Sequence, residues 1–146
     1  MATFSRSVEV DWTGPIMEGK GVAKAGTGAF SLPVTFPSRI GEPAGQTSPE
    51  ELVAAAHASC FAMALNATVG RKGGSIAKTQ VTATVSADKS DAGIKLTTSK
   101  LKVVAEGLQG IEKSQFAEVA KEAEGKCPIS NALRGNLQIE LEAEAR

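Results

Sequence analysis

Two side chains in this chain can do thiol chemistry, Cys60 and Cys127, and their surroundings differ. Cys60 lies inside an uncharged run, Leu52 to Val69 (LVAAAHASCFAMALNATV). Cys127 stands directly before a proline, in Lys126-Cys127-Pro128-Ile129-Ser130, where a short helix is predicted to begin. The unpaired amides of a helix start favour a thiolate, and a lower pKa makes a better leaving group when a disulfide is reduced. A cysteine in an apolar helix is ordinarily a small core residue whose pKa burial raises, so reactivity at Cys60 requires a cation. A free thiol near pKa 8.5 is only a few per cent thiolate at pH 7; lowering it by about two units takes roughly 2.7 kcal/mol. One sequestered thiol and one at a helix start are what a two-cysteine peroxide-reducing centre needs.

Arg39, in the Pro/Gly-rich stretch before the apolar run, is the best source of that cation. Its planar fork suits both a thiolate and a peroxide oxygen, although a solvated loop arginine is the ordinary case. Glu51 is accounted for by a capping box with Ser48. Glu50 has no such task, and a carboxylate that fixes the Arg39 guanidinium is the use expected for it. Geometry then makes a demand. The ten residues from Glu50 to Cys60 span about 15 Å along a straight helix. Either the helix is broken, or Glu50 comes from a second subunit, and a dimer whose sites use both chains is the expectation. His57, one turn before Cys60, raises a Cys/His acyl-transfer alternative, but no third group to orient its ring is apparent in the sequence, which favours packing.

The elements that must position these residues read as follows. Val8, Val10 and Trp12 alternate with polar residues, as do Phe30, Leu32, Val34 and Phe36, where Pro33 argues for an edge strand. Residues 37–47 read as a loop. Ser48-Pro49-Glu50-Glu51 starts a long helix, which Gly70 or the Gly73-Gly74 pair ends. Val81, Ala83 and Val85 share one strand face. Ile94 and Leu96 fall on even positions but Leu101, Val103 and Ala105 on odd ones, predicting a bulge or break near Thr98 to Lys100. Ser114 is expected to cap a helix carrying Phe116, Val119, Ala120 and Ala123, with Gly125 after it. Leu137, Ile139, Leu141 and Ala143 form a last half-buried strand. The order is α+β, with mainly antiparallel sheets and a long buried central helix, in one domain spanning residues 1–146.

Bulk properties exclude several function classes. Lys+Arg and Asp+Glu number 16 each, so the net charge is zero. That gives no support for nucleic acid or an anionic membrane as partner. One histidine and two cysteines outside any metal-ligand spacing argue against a metal site, and no cofactor is implied. The first residues carry no apolar signal segment, so a cytoplasmic location is expected, where cysteines are more often free, catalytic or redox-sensing than structural. The apolar run is long enough to span a membrane, but His57, Ser59, Asn66 and Thr68 within it favour a core helix.

Taken together, Thr47-Ser48-Pro49-Glu50-Glu51-Leu52-Val53-Ala54-Ala55-Ala56-His57-Ala58-Ser59-Cys60-Phe61-Ala62-Met63-Ala64-Leu65 resembles the central-helix signature of the osmotically inducible protein C and organic hydroperoxide resistance (OsmC/Ohr) family. Cys127-Pro128-Ile129-Ser130-Asn131-Ala132-Leu133 resembles its second cysteine motif. The resemblance implies an intertwined homodimer and a thiol-dependent peroxidase acting on organic hydroperoxides, and on hydrogen peroxide less well. It further implies Cys60 as peroxidatic cysteine, Cys127 as resolving cysteine, Arg39 and Glu50 as activating pair, and an external dithiol, of lipoyl type, as reductant. An arginine shortly before the helix is more like the OsmC branch, while Ser130 to Asn136 is similar to the Ohr branch. The rival from another class is a disulfide-based redox sensor without steady-state turnover. A ligand-binding module with the cysteines as packing, and a Cys/His hydrolase, are the others.

Overall fold

The alternation through Val8, Val10 and Trp12 becomes strand β1 (Val8–Thr13) in the computed structural model, which describes residues Met1–Arg146. β1 pairs antiparallel with β2 (Lys20–Ala25), and β2 with β3 (Ser31–Val34). Pro33 sits in β3, at the edge of this three-stranded sheet, as a residue without an N–H must. Its carbonyl accepts the Thr47 N–H at 3.0 Å. The stretch read as loop contains a short helix, α1 (Phe36–Ile40). Thr35 caps it by accepting the Ser38 N–H, and Pro37 occupies its first turn. Thr-Phe-Pro-Ser was the available signal, a capping residue followed by proline.

Helix α2 (Pro49–Arg71) runs without interruption for 23 residues. The Ser48 hydroxyl accepts the Glu51 N–H at 3.1 Å, as expected of an N-cap. The other half of the expected capping box is replaced. The Glu51 carboxylate accepts from the Thr47 hydroxyl at 2.8 Å instead. At the far end Gly73, with φ of 79°, takes the left-handed conformation. The Gly74 N–H returns to the Val69 carbonyl and the Gly73 N–H to Gly70, closing the helix as a Schellman turn.

The chain forms two compact units, Met1–Leu52 and Val53–Arg146. The second is built on β4 (Lys78–Ser90), β5 (Gly93–Glu106) and β6 (Gln138–Ala145). β5 is central, antiparallel to β4 but parallel to β6. The parallel pair arises because β6 returns through two helices, α3 (Phe116–Lys126) and α4 (Pro128–Leu133), not through a hairpin. The phase change in β5 is present, next to the expected stretch, at Thr97. Ser86 pairs with Thr98 and Ala87 with Leu96, leaving Thr97 as the extra residue. A 3₁₀ turn, Lys113–Gln115, precedes α3, so Ser114 lies inside a turn and does not cap the helix. Gly125 lies within α3, and Cys127 ends it.

Phe61, Leu65 and Val69 of α2 meet Leu101, Val103 and Ala105 of β5, and Phe116, Val119, Ala120 and Ala123 of α3. This is the core of the second unit, and Cys127 belongs to it. The long helix is buried only along one stripe, His57, Phe61, Leu65, Thr68 and Val69, and not all round. Its opposite side, including Ala56, Ser59 and Met63, is exposed. It is long and apolar enough to cross a membrane, yet His57 in its buried stripe is bonded to serines of this chain.

Candidate active site

Cys60 and Cys127 come together in the second unit. Cys127 is the N-cap of α4, with Pro128 at the first helical position, and its sulfur accepts the Ser130 N–H at 3.5 Å. Cys127 is buried and Cys60 half-buried, and both are free. Burial pushes the Cys60 thiol up, and the Cys127 thiol beside it adds to that, while the Ile129 backbone amide acts in the opposite sense. The first turn of α4 therefore presents one amide to each sulfur. Within this unit the balance at Cys60 favours the neutral thiol, as the apolar helix alone predicts.

Arg39 and Glu50 come together in the first unit. Arg39 Nε donates to both carboxylate oxygens at 3.1 Å, and Nη2 donates to Oε1 at 2.6 Å. Only 25% of the Arg39 side chain and 15% of Glu50 remain exposed. The Arg39 guanidinium holds Glu50 below the usual carboxylate range, against the cost of burial. Glu50 in turn raises Arg39 and keeps it charged. Arg39 stands in the last turn of α1, not in a loop, so its backbone is fixed from both sides. Its Nη1 edge makes no bond within the chain. A cavity of about 280 Å³ opens in this unit, lined by Val10, Trp12, Ala23, Val34, Phe36 and Leu52, with Arg39 as its one charged side chain.

His57 corrects the sequence reading that nothing orients its ring. It is fully buried, with Nδ1 2.6 Å from the Ser99 hydroxyl and Nε2 2.7 Å from the Ser130 hydroxyl. Burial pulls its pKa down; Glu124 opposes this and Arg134 reinforces it. The signal for Ser99 was present in the strand pattern. It occupies the same buried phase as Leu101, Val103 and Ala105, where a hydroxyl demands a partner. No group of His, Cys, Asp and Glu is arranged to hold a metal ion.

Comparison with known proteins gives this arrangement a family. The family model described as OsmC-like protein matches residues 41–142. The chain is 34% identical over 144 residues to the peroxiredoxin OsmC of Escherichia coli K12, covering 98% of this chain and 99% of that protein. To the organic hydroperoxide resistance protein OhrA of Bacillus subtilis 168 it is 41% identical over 98 residues, 66% of each chain. Its fold matches the crystal structure of an organic hydroperoxide resistance protein OsmC from Legionella pneumophila with a TM-score of 0.77 and 26% identity, covering 99% of both chains. Both cysteines, Arg39's neighbours from residue 41 onward and Glu50 fall within the matched region, and the chain belongs to the OsmC-like protein family.

Proposed function

We propose that this protein is a thiol-dependent peroxidase that reduces organic hydroperoxides to alcohols, cycling through a Cys60–Cys127 disulfide. The observation that carries the reading is the meeting of the two sulfurs at the first turn of α4, each opposite a backbone amide. The names of the relatives support a peroxide-related redox role. The Cys60 thiolate attacks one peroxide oxygen. A sulfur–oxygen bond forms, the oxygen–oxygen bond breaks, and the alkoxide leaves as alcohol after taking a proton. Cys60 is then a sulfenic acid. Cys127 attacks that sulfur, the sulfur–oxygen bond breaks, and the hydroxide leaves with the Cys127 proton as water. An external dithiol, of lipoyl type, exchanges with the disulfide and is itself oxidised.

The thiolate needs a cation, and Arg39 supplies it from a second copy of the chain. On the unbroken α2 helix, Glu50 and Cys60 lie about 15 Å apart along the axis. A guanidinium pinned on Glu50 therefore serves the cysteine of the partner subunit, in an intertwined homodimer folded from one domain per chain. A hydrogen bond to a charged group is worth about 1.5–3 kcal/mol, enough to offset the burial that opposes the anion. The Nη1 edge faces thiolate and peroxide while Nε and Nη2 stay on Glu50. The apolar cavity beside Arg39 receives the alkyl group. Each buried methylene contributes about 0.8 kcal/mol, or about fourfold, so organic hydroperoxides are preferred over hydrogen peroxide. A reducing compartment such as the cytoplasm returns both thiols to the free state.

The test is consumption of cumene hydroperoxide and hydrogen peroxide with dihydrolipoamide, thioredoxin or glutathione. Cys60→Ser abolishes turnover. Cys127→Ser consumes one equivalent of peroxide and stops at the sulfenic acid. Arg39→Ala slows the reaction at neutral pH by about tenfold or more, with recovery as alkali forms the thiolate. Normal turnover by Cys60→Ser would sink the peroxidase. Oxidation of wild type once, without turnover on any dithiol, would make it a redox sensor.

A further inference from the structure

We propose that His57 is a positioning residue for disulfide formation, holding the Cys127 turn in register with Cys60 through Ser130. The inference rests on the two-cysteine reading above. His57 leaves α2 three residues before Cys60 and is fully buried. A buried imidazole with two buried hydroxyls is a costly way to fill a core position that an aliphatic side chain would fill as well. What the three polar groups add is direction. Ser99 anchors one ring nitrogen to β5, and the other nitrogen bonds Ser130 on α4. Ser130 is the third residue of the α4 first turn, and its own N–H is bonded to the Cys127 sulfur. Ile129, one residue earlier, presents its amide to Cys60. The ring therefore ties the helix that carries Cys60 to the turn that carries Cys127.

The arrangement works with a neutral ring. One imidazole nitrogen donates and the other accepts, and each serine hydroxyl can do either, so the network is satisfied without a charge near the thiols. No buried polar side-chain atom in the structure lacks a partner. Disulfide formation depends on this alignment. The Cys127 sulfur must approach Cys60 from behind the sulfur–oxygen bond that breaks, and a 1 Å misplacement in such a step can cost on the order of 100-fold. Neither Cys127 nor Ser130 forms or breaks a bond in the peroxide step.

Two substitutions separate positioning from packing. The amide of His57→Gln reaches the place of Nε2 and keeps the bond to Ser130. That of His57→Asn reaches the place of Nδ1, keeping Ser99 and losing Ser130. Reduced proteins are mixed with one equivalent of cumene hydroperoxide, acid-quenched at intervals, and analysed by mass spectrometry for sulfenic acid and disulfide. Peroxide consumption is expected to stay within about twofold in both variants. Disulfide formation is expected to fall about tenfold or more in His57→Asn and in Ser130→Ala, and to stay near wild type in His57→Gln. With excess peroxide, the two slowed variants then accumulate Cys60 sulfinic acid. Unchanged disulfide rates in His57→Asn, or equal losses in the Gln and Asn variants, would overturn the inference. If His57→Asn does not fold, Ser130→Ala reads the same step by the same criterion. Absence of any Cys60–Cys127 disulfide in wild type is a different result; it removes the two-cysteine reading, and the clamp with it.

Discussion

Arg39 meets Glu50 through both carboxylate oxygens, and neither side chain is more than about a quarter exposed. Such a pair is worth more than a solvated surface bridge, because its geometry is fixed and its charges are partly desolvated. The linkage has a definite sign. Glu50 titrates below its ordinary value of 4.5 in the folded chain, chiefly through the Arg39 hydrogen bonds. Its contribution is thus fully present above the unfolded carboxylate range and disappears as pH falls through the folded value. Glu50→Gln is expected to destabilise the protein by about 1 kcal/mol at neutral pH, with the difference from wild type closing below about pH 4. Thermal midpoints of both proteins across that range check it. A gap that stays constant into acid would mean that the carboxylate charge contributes nothing. The same substitution leaves Arg39 less firmly oriented, so peroxidase activity should fall at neutral pH, where wild-type Glu50 is charged.

At the scale of elements, α2 determines what the site can be. Its buried stripe recurs at Phe61, Leu65 and Val69, which lock the helix onto β5 and α3 next to the residue that carries Cys60. Phe61→Ala is expected to cost about 3–5 kcal/mol, measured by urea unfolding, because its fully buried ring leaves a cavity the packed neighbours cannot fill. A loss below 1 kcal/mol would mean that this stripe is not what seats the helix. Much of this was legible in sequence because the signals are local. Ser48 before Pro49, the Gly73-Gly74 stop and the period-two alternation of β5 each depend on a few adjacent residues. Arg39 and Glu50 were legible by elimination, as a cation before the helix and a carboxylate with no capping task. What escaped depends on distant partners. Ser99 and Ser130 lie 42 and 73 residues from His57, so no periodicity joins them. The parallel seat of β6 was hidden likewise, since its alternation fits either direction. Helix α1 was missed for the opposite reason: five residues are too few to show a period.

At the scale of the molecule, the exposed face of α2 asks for a partner. Ala56, Ser59, Met63 and Asn66 lie outside the buried stripe, and Met63 is 72% exposed. In the first unit Val8, Val10, Trp12, Ile16 and Met17 are exposed as well. In the homodimer proposed above, a second copy covers this surface. Wild type should therefore sediment at about twice its 15.0 kDa chain mass. The sharper consequence concerns the division of labour. If Arg39 of one subunit serves Cys60 of the other, an inactive variant and a slowed one can repair each other. Cys60→Ser keeps a working Arg39, and Arg39→Ala keeps a working Cys60. After subunit exchange, each mixed dimer holds one site with both groups and one with neither. Random pairing makes half of the dimers mixed, so activity should recover to about a quarter of wild type. Exchange is confirmed independently by mass spectrometry of differently tagged chains, so that silence cannot be blamed on slow mixing. Mixed dimers with no activity above the two parents would place Arg39 and Cys60 of each site on the same chain. The 15 Å of unbroken helix between Glu50 and Cys60 would then have to be crossed by a movement of Arg39 away from its carboxylate.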